Sequence, residues 1–130
     1  MVATHESTSD RTGLGTVVIT GAAGGLGRAF ALGFARRGYP VAAVDINADG
    51  IAETVQAVTE AGGCAQGFTA DVTDTASTDE LAQQVNDFAT SLGTTVHAVV
   101  NNAAIYATIN RSAFEDIDPE EWDKVINVNL

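Results

Sequence analysis

The chain has few basic residues, one cysteine and no long apolar run. Among its 130 residues, six Lys and Arg stand against 17 Asp and Glu, which gives a net charge of −11. An electric field of this sign repels nucleic acids and anionic membrane surfaces, so we expect neither as a partner. Any anion that the chain binds must therefore be held by local backbone donors rather than by a general positive potential.

The scarcity of cysteine and of apolar runs narrows the class of protein further. Cys64 is the only cysteine, which excludes an intrachain disulfide and argues against a cysteine-based metal cluster. No apolar run approaches the ~18 residues of a membrane span, and residues 1–13 lack the apolar stretch of a secretory signal. We therefore predict a cytoplasmic protein with a flexible leader over residues 1–13, one domain over 14–130 and no metal site.

Apolar runs alternate with amphipathic segments along the rest of the chain. The continuous runs at 16–19 and 41–44 are typical of strands that are covered on both faces. A weaker strand is predicted at 64–69 and a fourth strand at 95–100. Between the strands, apolar residues recur at three- and four-residue spacing and each helical pattern ends at glycine. The alternation predicts an α/β fold, a Rossmann-like doubly wound parallel sheet of about four strands with right-handed crossovers.

Local signals predict where the helices begin and how they pack. Asn47 is expected to cap the second helix, and Ser77 to Glu80 has the form of a capping box for the third. Asp118 is expected to cap the last helix, with Glu121 reaching back to the cap. Gly33 is expected on the inner face of the first helix, where it would allow close approach to the sheet. The last helix reaches Leu130 without a stop signal, so we expect the fourth strand to be covered by residues beyond it.

The segment Thr20 to Gly27 connects the first apolar run to the first helix. A strand that leads through a glycine-rich turn into a helix directs several N–H groups and the positive end of the helix dipole at one point, which suits a pyrophosphate. Asp45, at the end of the second strand, lies 18 residues after Gly27, close to the ~20 expected of an acid that binds a ribose. A P-loop is excluded because Arg28 and Ala29, not Lys and Ser or Thr, follow Gly27. The alternative is a glycine-rich loop beside a solvated aspartate.

The turn and two later motifs resemble the short-chain dehydrogenase/reductase family. Thr20 to Gly27 fits the TGxxxGxG pattern of that family and equally the TGxxGxxG pattern of its extended, epimerase-like branch. The segment Asn101 to Ala104 resembles the NNAG motif of the dehydrogenase branch, with Ala104 in place of the last glycine, and favours that branch. Asn127 to Leu130 falls where the family has a further motif, so the resemblance covers about residues 16–130.

The resemblance implies a role for each of the matching residues. Asp45, with Ile46 beside it, would bind the adenosine ribose, while Asp71 and Val72 would contact the adenine. Asn129 would join a catalytic proton relay; the alternatives are a turn aspartate for Asp71 and an ordinary polar helix position for Asn129. The remaining implied cofactor contacts are the backbone at Gly21, Gly25, Leu26 and Gly27, which would hold the pyrophosphate, and Asn101 and Ala103, which would line the ribose and brace the sheet.

The same residues favour NAD(H) over NADP(H) as the cofactor. A carboxylate such as that of Asp45 accepts hydrogen bonds from two ribose hydroxyls but repels a 2′-phosphate. No basic residue lies within the glycine turn or directly after Asp45, where Ile46 and Asn47 follow.

The activity that the resemblance implies is hydride transfer between the nicotinamide and an alcohol or carbonyl substrate. In the family a tyrosine hydroxyl exchanges the substrate proton and a serine orients the substrate oxygen. Because a free phenol has a pKa of about 10, a lysine four residues after the tyrosine is needed to lower that pKa. This chain has no Tyr-x-x-x-Lys, since Asn110 follows Tyr106 at that spacing. We expect it to be the inactive cofactor-binding part of an enzyme that is a homo-oligomer when full length. The alternative is a non-catalytic NAD-binding or interaction module.

Overall fold

The computed structural model describes residues 13–130. The predicted leader therefore lies, apart from Gly13, outside the described residues. The helices and strands are β1 (Thr16–Thr20), α1 (Gly25–Arg36), β2 (Val41–Asp45), α2 (Ala48–Glu60), β3 (Ala65–Thr69), α3 (Thr75–Ser91), β4 (Val96–Val100), a 3-10 turn (Phe114–Asp116) and α4 (Pro119–Asn129).

The four strands form one parallel sheet in the order β3-β2-β1-β4. β1 pairs with β2, placing Val17 opposite Val41, and with β4, placing Val18 opposite Val99. The chain thus moves outward from β1 to β3 and then returns to the other side of β1. This reversal of strand order confirms the predicted Rossmann-like α/β fold, and it places a topological switch point between β1 and β4.

The sheet is covered on both faces, so β1 is fully buried and β2 is buried except at Asp45. Successive side chains of a strand point to opposite faces, and the core accordingly divides into two clusters. One cluster joins Val17, Ile19, Val41 and Ala43 to Ala31, Ala35, Ile51 and Val58 of α1 and α2. The other joins Val18, Ala42, Val44 and Phe68 to Val85 and Phe88 of α3.

β4 is only partly covered by the described residues. Within residues 13–130 it is an edge strand, and Val99 remains 55% exposed. The expectation that residues beyond Leu130 cover this strand lies outside the described chain. No helix between residues 13 and 130 is long and apolar enough to cross a membrane.

Two of the predicted helix caps are confirmed and one is wrong. Asn47 accepts a hydrogen bond from the Gly50 N–H, and Asp118 accepts one from the Glu120 N–H. The predicted capping box at Ser77 is wrong, because α3 begins at Thr75. There Asp74 accepts hydrogen bonds from the Ala76 and Ser77 N–H groups, so the helix is capped before Ser77 is reached.

The Ser77 and Glu121 side chains bind other backbone groups instead. The Ser77 hydroxyl accepts a hydrogen bond from the Asp71 N–H at 3.0 Å. The Glu121 carboxylate accepts one from the Asn110 N–H at 3.0 Å, so it fixes the preceding loop and does not reach back to the cap as predicted.

Close packing of α1 requires glycine at a different position from the one predicted. A Cβ at Gly33 would meet nothing nearer than the Arg37 guanidinium at 3.8 Å, so Gly33 does not bring the helix close to the sheet. A Cβ at Gly27 would overlap the Gly21 carbonyl group and lie 2.8 Å from the Ala22 Cα. The first turn of α1 is therefore the part of the helix that packs without room for a side chain.

The two glycines form a matched pair for a stability test. We expect Gly27→Ala to lower the free energy of unfolding by about 1–3 kcal/mol, because the added methyl group forces backbone apart. Gly33→Ala should leave it unchanged or raise it by up to about 1 kcal/mol, because alanine is the better helix former. Urea denaturation of both variants measures the difference. Equal losses in the two would contradict the packing described here.

Candidate functional site

A cleft of about 950 Å³ opens where β1, β2 and β3 end and the chain leaves β4. Its volume falls within the range of about 300–1,000 Å³ that is typical of small-molecule sites. The cleft brings together six of the residues that the sequence predicted as cofactor contacts: Gly21, Asp45, Ile46, Asp71, Val72 and Ala103. It is not lined by Gly25, Leu26, Gly27, Asn101 or Asn129.

The glycine turn begins directly after β1. Gly21 has φ +67°, and a Cβ there would lie 2.9 Å from both the Ala103 Cα and the Asn102 amide nitrogen. Glycine at this position therefore satisfies the backbone conformation and allows the chain after β4 to approach β1. Gly25, with φ +53°, begins α1.

The first turn of α1 offers a set of N–H groups. Gly25, Leu26 and Gly27 are its first three residues, so their N–H groups have no carbonyl partner within the helix. The preceding residue, Gly24, has no side chain that could cap them. An anion at this end of the helix would accept hydrogen bonds and lie at the positive end of the helix dipole. The turn thus has the donors that a pyrophosphate requires.

Asp45 connects the end of β2 to the glycine turn. Its Oδ2 accepts a hydrogen bond from the Ala23 N–H at 3.1 Å, and its Oδ1 accepts one from the Asn47 N–H at 3.0 Å. Each carboxylate oxygen can accept a second hydrogen bond, so the group remains able to bind ligand hydroxyls. Ile46 is 68% exposed and adds an apolar surface beside the carboxylate.

Asp71 follows β3, and Thr73 fixes its carboxylate. Oδ1 accepts hydrogen bonds from the Thr73 hydroxyl at 2.7 Å and from the Thr73 N–H at 2.9 Å. These two donors, the hydroxyl first, hold the pKa of Asp71 below its ordinary value because they stabilise the charged form. The site therefore presents a second oriented carboxylate, with Val72 as its apolar neighbour in the cleft.

Asn102 braces the end of the sheet, and Asn101 does not. The Asn102 amide donates to the carbonyls of Thr20 and Gly21, both at 3.2 Å. The Thr20 hydroxyl accepts from the N–H groups of Asn102 and Ala103, both at 3.1 Å. In the described chain the Asn101 side chain makes no hydrogen bond and is exposed, because alternate residues of an extended segment point to opposite sides. The bracing role expected of Asn101 is corrected accordingly.

Asn129 holds the loop after β4 against α4. Its Oδ1 accepts from the Ile105 N–H at 2.8 Å, and its Nδ2 donates to the Ile105 carbonyl at 3.1 Å. Ile105 lines the cleft, so Asn129 shapes the cleft wall through this neighbour. Its part in a proton relay stays a prediction.

One wall of the cleft was not predicted from the sequence. α4 and the loop before it contribute Ala104, Ile105, Glu120, Asp123, Lys124, Asn127 and Val128. The only available signal was the Asn127 to Leu130 motif. The sequence predicts the helix α4 but not its position beside the cleft. Only that position shows that residues on the preceding turns of α4 also line the cleft. Thr73, which lowers the pKa of Asp71, was also missed, although an aspartate that accepts a hydrogen bond from the residue two positions later is a common local turn.

The residues present fit a dinucleotide. N–H donors at the glycine turn suit the negatively charged pyrophosphate, and the two carboxylates suit hydroxyl and amine donors elsewhere on the ligand. Between residues 13 and 130, no group of three or more His, Cys, Asp or Glu side chains could hold a metal ion.

The sequence of the chain is similar to that of a known family of proteins. The family model for short chain dehydrogenases matches residues 15–130. A short chain dehydrogenase/reductase of Macrophomina phaseolina, dpmpG, is 43% identical over 116 residues, which are 88% of this chain and 63% of that protein.

Two solved structures share the fold at 24% identity each. An NAD⁺-bound xylitol dehydrogenase superposes with a TM-score of 0.80 over 89% of this chain and 42% of its own. A metagenomic short-chain oxidoreductase in complex with NADP superposes with a TM-score of 0.81 over 92% and 52%. Within this fold, structures are thus known with either dinucleotide.

The chain spans 63%, 45% and 40% of the lengths of the first three curated relatives that it matches. The parallel sheet, the glycine turn and the paired asparagines after β4 all lie in the part that is shared. On this evidence the chain belongs to the short-chain dehydrogenase/reductase family.

Proposed function

We propose that this chain binds a nicotinamide dinucleotide and forms the cofactor-binding part of an oxidoreductase that acts on an alcohol or carbonyl substrate. The observation that carries the proposal is the convergence of the glycine turn, Asp45 and Asp71 at the ends of three adjacent parallel strands. Open α/β sheets bind their ligands at this edge, beside the reversal of strand order.

Each part of the site is assigned one part of the ligand. The turn at Gly21 and the first N–H groups of α1 would hold the pyrophosphate. Asp45 would accept hydrogen bonds from the adenosine ribose, and Asp71 would accept one from the adenine amine. Apolar contact would come from Ile46 and Val72. Ala103, which lines the cleft, and Asn101, which lies just outside it, are the residues proposed to line a ribose of the cofactor.

NAD(H) is the proposed cofactor because Asp45 would repel a 2′-phosphate. The carboxylate lies in the cleft, is held by two N–H groups and is followed by Ile46, which carries no charge. Arg28, the basic residue nearest the turn in sequence, donates its hydrogen bonds to protein groups, among them Thr54 and the Ala23 carbonyl. A cytoplasmic location and a homo-oligomeric full-length protein also remain predictions.

The cofactor preference can be measured directly on the chain. We expect NADH to bind at least roughly tenfold more tightly than NADPH, a difference of about 1.4 kcal/mol. Asp45→Asn should reduce the ratio of the NADPH dissociation constant to the NADH dissociation constant, because it removes the charge that would face the 2′-phosphate. Asp49→Asn, which removes an exposed charge outside the cleft, is the matched control and should keep the ratio. Tighter binding of NADPH by the unchanged chain would overturn the assignment.

The orientation of Asp71 by Thr73 gives a prediction about pH. Because the folded pKa is lowered, the carboxylate contributes to binding and stability above its unfolded pKa, and the contribution is lost as pH falls through the lower folded value. Thr73→Val removes the hydroxyl donor and should raise the pKa of Asp71, while Thr73→Ser should retain the wild-type value. Titration of the carboxyl carbon by NMR measures both. An unchanged pKa in Thr73→Val would show that the hydroxyl is not the cause.

Catalysis requires groups that these residues do not supply. The nicotinamide, when bound, accepts or donates the hydride, and a residue must exchange a proton with the substrate oxygen. The chain has no tyrosine followed four residues later by lysine, and its only lysine is Lys124. Asn129 is the one residue proposed for the proton relay. We therefore propose that residues 1–130 bind the cofactor without turning over substrate.

The expected result is no measurable NADH formation when the purified chain is mixed with NAD⁺ and a panel of primary and secondary alcohols. Binding of NADH to the same sample, measured by fluorescence, is the control that shows a folded site. Alcohol-dependent formation of NADH above the background of the Gly27→Ala variant would contradict this proposal.

A further inference from the structure

Two side chains that lie outside the cleft hold the carbonyl groups of the glycine turn. Thr54 of α2 donates its hydroxyl hydrogen to the Ala22 carbonyl at 2.7 Å, the nearer of two carbonyls; the other, that of Gly50, lies at 3.1 Å. Arg28 of α1 donates from Nη2 to the Ala23 carbonyl at 2.6 Å. The two side chains also bind each other, because the Arg28 Nε donates to the Thr54 Oγ1 at 2.9 Å. The turn is thus connected to both helices on this face of the sheet.

The contact between α2 and the turn is tight. Thr54 is fully buried, so its hydroxyl has no access to water and depends on these protein partners. A Cβ at Gly50 would lie 2.7 Å from the Ala23 Cβ, which leaves no room for a side chain between α2 and the turn. The Arg28 Nη2 also lies 3.3 Å from the Gly50 carbonyl and 3.0 Å from the Glu53 carboxylate. Neither Arg28 nor Thr54 lines the cleft.

The contacts of the two carbonyl groups fix the direction of the N–H groups in the same peptide units. In a trans peptide the C=O and the N–H of the same unit point in opposite directions. The Ala22 carbonyl faces Thr54, so the N–H of Ala23 points away from it, where it donates to Asp45 Oδ2 at 3.1 Å. The Ala23 carbonyl faces Arg28, so the N–H of Gly24 is directed away from Arg28.

We propose that Arg28 and Thr54 are positioning residues for dinucleotide binding. Thr54 orients the peptide whose N–H aligns the Asp45 carboxylate. Arg28 orients the Ala23–Gly24 peptide, which directly precedes the helix start whose N–H groups would hold the pyrophosphate. The proposal rests on the proposed function, and it gives each residue a separate effect. Loss of Arg28 affects mainly the phosphate contact, because Thr54 keeps its hydrogen bond to the Ala22 carbonyl, whereas loss of Thr54 affects the ribose contact through Asp45.

The positive charge of Arg28 suggests a second possible role, and the contacts of the guanidinium argue against it. A cation next to a glycine turn could serve as a ligand for the 2′-phosphate of NADP(H). Here the guanidinium donates to two carbonyls and a hydroxyl and pairs with Glu53. Removal of Arg28 should therefore weaken NADH and NADPH by the same factor, whereas a 2′-phosphate ligand would affect NADPH alone.

The experiment compares ADP with adenosine by NMR titration of the 130-residue chain. Arg28→Gln should weaken ADP roughly tenfold and leave adenosine within a factor of about two, since only ADP reaches the pyrophosphate position. Thr54→Val should weaken both ligands. Thr54→Ser, which keeps the hydroxyl, should bind like the wild type, as should Arg36→Gln, which removes an exposed charge from the same helix.

Three results would overturn the proposal: ADP binding by Arg28→Gln that equals the wild type, equal weakening of ADP and adenosine in that variant, or no rescue by Thr54→Ser. If Arg28→Gln does not fold, Arg28→Lys keeps the charge but not the planar set of donors and should show the same loss of ADP.

A failure of the proposed function can be told apart from a failure of this inference. If the wild-type chain binds neither ligand, the proposed function fails, and the free protein still tests the positioning. The Ala23 amide hydrogen should then exchange with solvent faster in Thr54→Val than in Thr54→Ser or the wild type. Equal exchange rates in the three would show that Thr54 does not orient this peptide.

Discussion

The contact between the backbones of Gly27 and Gly21 determines the geometry of the whole site. Because a Cβ at Gly27 would overlap the Gly21 carbonyl group, the first turn of α1 can lie against the end of β1 only with hydrogen at that position. The N–H groups at the start of the helix are thereby brought to the edge of the sheet. Gly21, with its positive φ, makes the reversal of direction that this contact requires.

The strand order then decides what else reaches the turn. β1 lies between β2 and β4, so its carboxyl end is bordered by Asp45 on one side and by the segment after β4 on the other. Asp45 holds the N–H of Ala23, and Asn102 holds the carbonyls of Thr20 and Gly21. Two segments that are distant from the turn in sequence therefore restrain it, one from each side. A site assembled in this way is held by the sheet and does not depend on the order of one loop.

What the sequence could predict was limited to features that are local in the chain. Continuous apolar runs identified β1 and β2, and the spacing from Gly27 identified Asp45, because a strand that follows a helix must end near the turn that preceded the helix. Gly33, Ser77 and Asn101 were misjudged for a common reason. Each depends on how an element is placed in the fold: where α1 approaches the sheet for Gly27 or Gly33, where α3 begins for Asp74 or Ser77, and which side chain faces the sheet for Asn102 or Asn101. Periodicity alone does not give this placement.

The acidity of the chain explains why the site is constructed from backbone groups. With a net charge of −11, the protein gains no general attraction for an anionic ligand, and Asp45 and Asp71 add negative charge to the cleft itself. Backbone N–H groups at a helix start hold a phosphate at close range without any net charge, so distant carboxylates oppose them only weakly once salt screens the long-range field. Arg28 likewise acts on the backbone: its N–H groups donate to carbonyls of the turn and of α2, and it does not line the cleft. In the proposed function the pyrophosphate is assigned to N–H groups and not to Lys124, the lysine that lines the cleft, so Asp45 would remain free to oppose additional ligand charge.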